Sequence, residues 1–468
     1  MTTFEEKVLG LRQAGDFFSP QLPVYLSRAP GRLDLMGGNV DYTGGLVFQT
    51  TIREATYAAA QRRGDSLIVF WNPQMREQGW QERVEFQLES LSDEAAVRQL
   101  VNRSPEVRWT AYVLGVFYLL RARYAGAVTS GANVYLESEV PLNRGVSSSA
   151  AVEVAVMKAA CAAYGIDLTG IELALACQWV ENVIAESACG IMDQAASVLG
   201  EEGKVLPLLC QPCTPKPLVQ LPEGLACWAV DSGVKHAVTG IEYEAARAAA
   251  FVGLRLICEW EGLSLGLDES GRIPQFRDPR WNGYLSKMAP SVFRSKYERR
   301  LPESLLGDEI LALGKTHPDP FTTVRTGVNY RVRACTRYAV EENQRIELFV
   351  ELARGAKHGA TSDTFRTMGD LMFQSHWSYT ECGLGCEATD LLIEFVRREC
   401  ADDQLYGAKI TGGGAGGTVA VLGAKGAEEA FRRAVANYAQ ARSFEPYVFQ
   451  GSSMGADRFG VHVLQAKP

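Results

Sequence analysis

Residues 31–45 read GRLDLMGGNVDYTGG, and this stretch governs the interpretation of the whole sequence. It holds five glycines, one arginine and two aspartates, a composition that suits neither a helix nor a strand. Glycine adopts positive φ angles without steric cost and lets other groups approach the backbone closely. The flanking residues, from Val24 to Arg53, have strand character. We therefore expect a strand, a tight glycine-rich turn that holds a ligand or another loop, and a second strand.

A second glycine-containing stretch, PLNRGVSSSAAVEVA at residues 141–155, places a turn directly before a helix pattern. A helix start offers unpaired N–H groups and the positive end of the helix dipole, which suit an anion. Capping the helix would require only one serine, yet three follow Gly145. We therefore favour phosphate binding here, although the G-x-x-x-x-G-K-[ST] pattern of P-loop proteins is absent.

The third stretch, TGGGAGG at residues 411–417, lies between two strand-like runs. A flexible surface hairpin is one interpretation. Five glycines in seven residues are more than a hairpin needs, so we favour close approach of this backbone to a ligand or to the first loop.

A fourth stretch, ENVIAESACGIMDQ at residues 181–194, supplies two candidate acids. Glu181 lies late in a helix pattern, and Asp193 follows a glycine turn beside apolar residues. A carboxylate in such a setting is a candidate general base or metal ligand. Taken alone, Asp193 would be interpreted as an ordinary surface residue.

The composition restricts the partners of the protein. The 468 residues carry a formal net charge of −8, which argues against a large nucleic-acid surface. The most apolar long stretch, residues 150–164, is too short to cross a bilayer and contains Glu153 and Lys158. Because no signal-peptide pattern is found, we expect a cytoplasmic protein without membrane contact.

The eleven cysteines are scattered and odd in number, which indicates reduced thiols. Cys210 and Cys213 form a CxxC pair, and Cys382 and Cys386 lie four apart. A zinc site would have to join both pairs in space. Buried apolar cysteines are the preferred interpretation.

The order of the predicted elements indicates the α+β class, because strands and helices mix without regular βαβ alternation. YAAAQRR and LIVFWN are predicted to be paired strands of a mixed sheet. The length suggests two lobes, and a change of pattern places them at residues 1–224 and 225–468. Residues 261–325, rich in Pro, Gly, Arg and Asp, are predicted to be an insertion with short helices, which would form a lid, an oligomer contact or solvated irregular structure.

In this order, the three glycine-rich stretches resemble those of the GHMP kinase superfamily. GRLDLMGGNVDYTGG is similar to the galactokinase signature, G-R-[VI]-N-L-I-G-E-H-x-D-Y-x-x-G, and CGIMDQ and DSGVKHAVTGIEYEAAR also resemble galactokinase segments. The resemblance covers roughly residues 27–464 without the insertion. It implies a two-lobed fold with a ribosomal-protein-S5-like N-terminal lobe, a ferredoxin-like C-terminal lobe and an active site in the cleft between them.

The same resemblance implies a kinase that uses ATP and Mg²⁺ on a small-molecule sugar, as a monomer or small homo-oligomer. It makes Asp193 the catalytic aspartate that faces the anomeric hydroxyl and Arg32 the arginine that stabilises charge beside it. The implied Mg²⁺ ligands are Ser149 and Glu181. The residues implied at the sugar are Arg32, Gly38, Asn39, Asp41, Gly190, Asp193 and Tyr243. Those implied at ATP are Trp109, Pro141, Asn143, Arg144, Gly145, Val146, Ser147, Ser148, Ser149, Ala150, Gly413 and Gly414.

Gly38 and Asn39 depart from the galactokinase signature, in which glutamate and histidine reach toward the C6 hydroxyl of the sugar. Asp41, which serves the ring hydroxyls, is retained. L-Arabinopyranose is D-galactopyranose without the C6 hydroxymethyl group, so a pocket that loses its C6 contacts loses little with this pentose. Such a change is worth about 1–3 kcal/mol of discrimination.

The chain also resembles the kinase region of plant L-arabinokinases, which carry a Gly-Gly pair at this place and a similar insertion. We therefore expect phosphorylation of the anomeric hydroxyl of L-arabinose to give L-arabinose 1-phosphate and ADP. A galactokinase and a uronic acid 1-kinase are the alternatives. A non-catalytic sugar and ATP sensor is a remote alternative, because the serines, Arg32 and Asp193 are intact. A kinase for a non-sugar alcohol is another, and CGIMDQ and Tyr243 argue against it.

Overall fold

The computed structural model of the chain describes residues 2–235, 240–267, 274–314, 317–356, 361–401 and 404–466. Its α-helices are α1 Thr2–Ala14, α2 Glu94–Val101, α3 Ala111–Arg123, α4 Ser148–Tyr164, α5 Gly170–Trp179, α6 Met192–Leu199, α7 Ile241–Trp260, α8 Pro290–Val292, α9 Gly307–Ala312, α10 Val332–Gly355, α11 Ser362–Cys382, α12 Glu387–Arg398, α13 Glu428–Arg442 and α14 Ala456–Phe459. Its strands are β1 Val24–Met36, β2 Leu46–Arg62, β3 Leu67–Trp71, β4 Arg83–Gln87, β5 Ala132–Ser138, β6 Lys204–Leu209, β7 Thr214–Pro215, β8 Val219–Gln220, β9 Leu225–Asp231, β10 Leu265–Leu267, β11 Pro274–Phe276, β12 Leu305–Leu306, β13 Asn329–Tyr330, β14 Leu405–Ile410, β15 Thr418–Ala424, β16 Val448–Gln450 and β17 His462–Leu464.

Nine strands of the described residues form a first sheet, in the order β17-β1-β2-β5-β3-β4, with β6 paired to β2 and both β7 and β8 paired to β6. Strands β1 and β2 are the long antiparallel pair predicted around the first glycine-rich loop. The residues of β1 are almost all buried rather than alternately exposed. Helix α4 packs against this strand pair, and Phe4 and Val8 of α1 form a separate apolar cluster with Val24 and Leu26 of β1. Register shifts after Pro30 and after Asp34 change the direction of the end of β1, where it leads into the first glycine-rich loop.

The predicted direct pairing of YAAAQRR with LIVFWN is wrong. These segments belong to β2 and β3, and β5 lies between them, antiparallel to β2 and parallel to β3. The first five residues of β5 are buried, and a buried strand needs a hydrogen-bonding partner on each edge. The sheet is nevertheless mixed, as expected.

A second sheet has four strands in the order β14-β15-β9-β16. Helices α11 and α12 pack against β14, and α12 also contacts α13. Trp228 of β9 stacks on Phe431 of α13, with ring centres 4.8 Å apart. The loop that joins β14 to β15 is the glycine-rich stretch 411–417. Separate strand and helix layers of this kind confirm the α+β class.

The described parts of the 261–325 segment form short elements: β10 pairs antiparallel with β11, and β12 pairs with β13, which follows the segment. Residues 268–273 and 315–316 of this predicted insertion, and residues 236–239 of the DSGVKHAVTGIEYEAAR motif, lie outside the described residues. Near the C-terminus, β17 pairs with β1, so the chain returns to the first sheet. The division into lobes at residues 224 and 225 stays a prediction. Among the described helices, none combines the length and apolar character needed to span a bilayer.

Candidate active site

The three glycine-rich loops meet at one pocket, together with the segment 181–193 and the start of α7. This arrangement places polar side chains from distant parts of the sequence within one cleft. The described residues that line it are Arg32, Asn39, Asp41, Asn143, Gly145, Ser147, Ser148, Ser149, Glu181, Ser187, Ala188, Cys189, Gly190, Met192, Asp193, Tyr243 and Gly413.

Arg32 and Asp193 form an ion pair within this pocket. Arg32 Nε donates to Asp193 Oδ1 at 2.8 Å, and Arg32 Nη1 donates to the Gly145 carbonyl oxygen at 2.7 Å. The arginine side chain is only 3% exposed, whereas that of Asp193, in the first turn of α6, is 19% exposed. The arginine therefore holds the carboxylate in one orientation and leaves part of it accessible from the pocket.

Asp41 is buried against the backbone of Gly190. A Cβ atom at position 190 would lie 1.8 Å from Asp41 Oδ2, so only glycine fits there. Burial, reinforced by the charge of Asp193, raises the pKa of Asp41 to about 6, although Arg247 and the backbone N–H of Tyr42 lower it. This carboxylate thus changes its protonation state near neutral pH.

Asn39 faces the pocket from a left-handed backbone conformation, with φ 58°. Its Nδ2 donates to the Gly413 carbonyl oxygen at 3.3 Å, which ties the first glycine-rich loop to the third. Asparagine tolerates this conformation better than most residues with a side chain.

Gly38 lies behind the pocket wall rather than in it. A Cβ atom at this position would lie 2.1 Å from Tyr379 Oη and 2.6 Å from Asp34 Oδ2. The Tyr379 hydroxyl donates to the Gly412 carbonyl oxygen at 2.7 Å, so it is held in place. The direction in which a side chain at position 38 would extend is therefore filled.

Helix α4 begins at the pocket. Ser147 precedes its first turn with φ 62°, and the Ser147 hydroxyl has no hydrogen-bond partner among the described residues. Asn143 and Gly145 also have positive φ angles, of 58° and 71°, which coil the preceding turn tightly. The first N–H groups of a helix lack partners within it, so this helix start and its serine hydroxyls suit an anion.

Two buried glutamates, Glu181 and Glu153, lie near this helix start. Burial and the charge of Asp193 raise the pKa of Glu181 to about 7, while a hydrogen bond from Ser149 lowers it. Burial and Glu181 raise the pKa of Glu153 well above its ordinary value. Gln194 Nε2 donates to Glu181 Oε2 at 2.7 Å, whereas Glu153 Oε1 has no hydrogen-bond partner among the described residues.

This pair of acids beside a serine hydroxyl fits a hard cation, which prefers oxygen ligands. No group of three or more His, Cys, Asp or Glu in the described part of the chain is arranged to hold a metal ion alone. In nucleotide sites Mg²⁺ typically takes one or two carboxylates and obtains its other ligands from phosphates and water. The donors present are therefore compatible with a cation shared with a nucleotide.

The third glycine-rich loop packs against the backbone of the turn before α4. A Cβ atom on Gly412 would lie 2.7 Å from the Gly145 carbonyl oxygen, and one on Gly417 would lie 2.9 Å from the Arg144 carbonyl oxygen. The Arg144 side chain pairs with Asp231 at 3.1 Å. The glycines thus permit loop-to-loop contact on the α4 side of the pocket.

Some of the expected site residues do not line the pocket. Trp109 is packed in the core at 8% exposure, and its indole N–H donates to the Gln81 carbonyl oxygen at 2.9 Å, so its ring anchors the start of α3. A Cβ atom on Gly414 would lie 2.7 Å from the Leu384 carbonyl oxygen, away from the pocket lining. The expected residues outside the lining are Gly38, Trp109, Pro141, Arg144, Val146, Ala150 and Gly414.

Glu153 was not among the residues expected at the site. Its signal in the sequence is a glutamate four residues after Ser149 in a mostly apolar helix, which places both on one helix face. Cys189 and Met192, which line the pocket, lie inside the CGIMDQ motif.

The cysteines are free thiols in the structure. Cys210 is buried, and burial raises the pKa of its thiol well above the ordinary value. Burial also raises the pKa of Cys213 to about 11. Burial therefore favours the neutral thiol at both cysteines.

Comparisons with known proteins agree with this architecture. The family model for the GHMP kinases N terminal domain matches residues 111–201, and the galactokinase galactose-binding signature matches residues 16–62. The L-arabinokinase of Arabidopsis thaliana is 34% identical over 98% of this chain and 48% of its own length, so the chain spans about half of that relative. A galactokinase of Chloroflexus aggregans is 30% identical over 91% of each sequence.

The structure of Lactococcus lactis galactokinase, determined in complex with galactose, superposes on this chain with a TM-score of 0.74 at 21% identity. The superposition covers 98% of this chain and 99% of the galactokinase chain, which shows that the two share a fold. The chain belongs to the GHMP kinase superfamily, in its galactokinase-type group of sugar kinases. The expected family and fold class are confirmed.

Proposed function

We propose that the protein transfers the γ-phosphoryl group of ATP to the anomeric hydroxyl of L-arabinose, giving L-arabinose 1-phosphate and ADP. The observation that carries this proposal is the Arg32–Asp193 pair, which lies where the sugar-side loop meets the turn before α4. Relatives named L-arabinokinase and galactokinase support a sugar as the acceptor.

Asp193 accepts the proton of the anomeric hydroxyl in this proposal. Phosphoryl transfer passes through a loose transition state in which positioning and charge neutralisation supply most of the catalysis. The proton can therefore leave late, and a carboxylate is a sufficient base. Arg32 orients the carboxylate and places positive charge beside the group that is transferred.

The start of α4 would bind the ATP phosphates, with residues 145–150 around them. Ser149 and Glu181 would hold Mg²⁺, and Glu153 lies behind them with its pKa raised by burial and by the charge of Glu181. When bound, the cation neutralises charge on the phosphates.

Asp41, Gly190 and Tyr243 would form the sugar-binding side. The Asp41 carboxylate lies against the Gly190 backbone and would accept hydrogen bonds from ring hydroxyls. The Asn39 amide, held by Gly413, lies at the edge of the same pocket.

The preference for a pentose is supported by Gly38, which stands where the galactokinase signature has a glutamate. The space that a side chain would need there, behind the pocket wall, is filled by Tyr379 Oη and Asp34 Oδ2, so position 38 offers no carboxylate to a C6 hydroxyl. L-Arabinopyranose lacks that hydroxyl, whereas D-galactose would carry it without the partner it has in a galactokinase. Such a missing partner is worth about 1–3 kcal/mol of discrimination.

D-Galactose is the second candidate substrate, because the galactokinase signature and several galactokinases match this chain. A uronic acid ranks third. Among the described residues that line the pocket, Arg32 is the one basic side chain, and it is already paired with Asp193.

The test is ADP release from Mg-ATP with L-arabinose, D-galactose, D-galacturonate and D-glucuronate, using wild type and Asp193→Asn. We expect the highest kcat/KM with L-arabinose and a loss of at least about a thousandfold in kcat for the variant, with ATP binding retained. A preference for D-galactose would overturn the pentose assignment but leave the kinase assignment intact. Turnover near the wild-type level in Asp193→Asn would remove Asp193 from its proposed role.

A further inference from the structure

A buried ion pair joins the insertion at residues 261–325 to helix α7. Arg247 donates from Nε and Nη2 to the two carboxylate oxygens of Asp319, at 2.9 Å each. The side chains are 4% and 2% exposed. Thr322 Oγ1 also donates to Asp319 Oδ2, at 2.6 Å. A bidentate pair of this kind fixes the plane of the guanidinium as well as its position.

The same guanidinium lies beside the side chains expected at the sugar. Arg247 Cζ is 4.8 Å from the ring centre of Tyr42, whose ring packs edge-on against that of Tyr243 at 6.2 Å. The charge of Arg247 lowers the pKa of Asp41 and of Tyr243 against the opposing effect of burial. Arg247 Nη1 has no hydrogen-bond partner among the described residues.

The insertion also forms a wall next to the sugar side of the pocket. A cavity of about 380 Å³ shares Asp41 and Gly190 with the pocket described above. Phe276, Tyr284 and residues 318–321 of the insertion line this cavity. These described residues of the insertion are therefore packed against the elements expected to bind the sugar.

We propose that the insertion is a working part of the sugar site, in which Asp319 is a positioning residue that holds Arg247 and thereby fixes Tyr42, Tyr243 and Asp41. A buried guanidinium that loses its carboxylate partner is strongly unfavourable. Without Asp319, Arg247 would turn toward another carboxylate, and Asp41 is one whose pKa it already affects. Asp41 would then be less available to the sugar hydroxyls.

The kinetic consequence rests on the proposed sugar kinase function. Asp319→Asn should raise the KM for the sugar at least about tenfold, leave the KM for ATP within about twofold and change kcat by less than about threefold. Glu259→Gln is the matched control, since Glu259 pairs with Arg255 at 2.8 Å on the same helix, and it should change none of these values. Thr322→Val weakens the hold on Asp319 without changing a charge and should raise the sugar KM about threefold.

Hydrogen exchange without substrates tests the positioning role independently of activity. Asp319→Asn or, if that variant does not fold, Thr322→Val should speed exchange in segments 37–45 and 241–250, whereas Glu259→Gln should not. Exchange could be faster in the variant while the wild type phosphorylates none of the sugars. That result would refute the proposed function and retain the positioning role of Asp319. Unchanged exchange in both segments, or a sugar KM that stays at the wild-type value in an active folded variant, would overturn this inference.

Discussion

Tyr379 occupies the space that any side chain at position 38 would need, so the two residues should act as a pair. Gly38→Ala adds a Cβ atom 2.1 Å from Tyr379 Oη and should destabilise the protein by about 1–3 kcal/mol. Tyr379→Phe in the same chain removes the hydroxyl and should recover part of this loss. A double-mutant cycle by urea unfolding measures the coupling, which we expect to exceed about 0.5 kcal/mol.

Gly10→Ala is the control for that cycle. Gly10 lies in helix α1 with no neighbour within 4 Å of its Cβ position, so alanine there should be neutral or stabilising by up to about 1 kcal/mol. Full stability of Gly38→Ala would mean that position 38 has room for a side chain, and it would remove the structural support for the pentose preference.

The protonation of Asp41 gives a second prediction for a single residue. Burial raises its pKa from 3.8 to about 6, which makes ionisation of Asp41 in the folded protein about 3 kcal/mol more costly than in the unfolded chain. Above pH 6 the folded protein bears this cost, because Asp41 is ionised. Below pH 4 Asp41 is protonated in both the folded and the unfolded state, and the cost is absent. Asp41→Asn should therefore be more stable than wild type at pH 8 by up to about 3 kcal/mol, and this gain should vanish as pH falls from 6 to 4.

Urea unfolding at several pH values measures this difference. Asp65→Asn serves as the control, because Asp65 is exposed and its pKa is lowered to about 2 by Arg63. Its stability difference from wild type should stay constant between pH 5 and pH 8. Equal pH dependence in wild type and Asp41→Asn would contradict a raised pKa for Asp41.

Individual site residues were predictable from sequence only where they belong to a motif. Arg32, Asp193 and the serines before α4 lie in contiguous stretches whose composition indicates their chemistry, and the structure brings them together. The contact of Gly38 with Tyr379 joins residues on different elements that no spacing rule connects. For Trp109, whose ring is packed in the core, a place near ATP rests on the motif resemblance alone and stays a prediction.

At the scale of secondary structure, periodicity predicted which segments are strands but not their neighbours. The apolar patterns of β2, β3 and β5 are each evident in the sequence. Their order depends on which strand is buried on both edges, and a pattern of side chains along one strand does not carry that information. The direct pairing of β2 with β3 was therefore wrong, although both strands were correctly predicted.

The π-helical turn Val180–Ile184 after α5 presents Glu181 to the pocket, and this element gives a prediction for Mg²⁺. Since the pKa of Glu181 is raised to about 7, this group is ionised above neutral pH and protonated below it. A cation competes with that proton, so the Mg²⁺ concentration for half-maximal activity should rise about tenfold per pH unit below 7. Glu181→Gln should need more Mg²⁺ at every pH and lose this dependence.

Magnesium titrations of ADP release at pH 6, 7 and 8 test the role of this turn, with ATP and sugar saturating. Glu172→Gln, an exposed glutamate of α5, should behave as wild type. A Mg²⁺ requirement in Glu181→Gln equal to that of wild type at pH 8 would remove Glu181 from the expected cation site.

At the scale of the whole molecule, one buried ion pair connects the two sheets directly behind the first and third glycine-rich loops. Lys409 Nζ of β14 donates to Asp34 Oδ2 of β1 at 2.8 Å, and both side chains are fully buried. Gln49 Nε2 donates to the other carboxylate oxygen at 2.7 Å, and the Ile410 carbonyl oxygen accepts from the lysine at 2.8 Å. Each charged group therefore has a second hydrogen-bond partner besides the ion pair, which holds the two loops in a fixed relation.

Removing one member of this network should destabilise the protein more than any surface pair can. Lys409→Met leaves Asp34 buried without its cation and should cost about 3–5 kcal/mol in urea unfolding, whereas Lys409→Met with Asp34→Asn should cost less because no charge is stranded. Arg76→Ala, which breaks an ion pair with Glu82 at the surface, should cost less than about 1 kcal/mol.

Hydrogen exchange tests whether the Lys409–Asp34 pair couples the two sheets. If it does, β1 and β9 should no longer exchange through a common unfolding transition in Lys409→Met. A variant that unfolds at the wild-type urea concentration, with β1 and β9 still exchanging together, would mean that the hydrophobic core alone couples the two sheets.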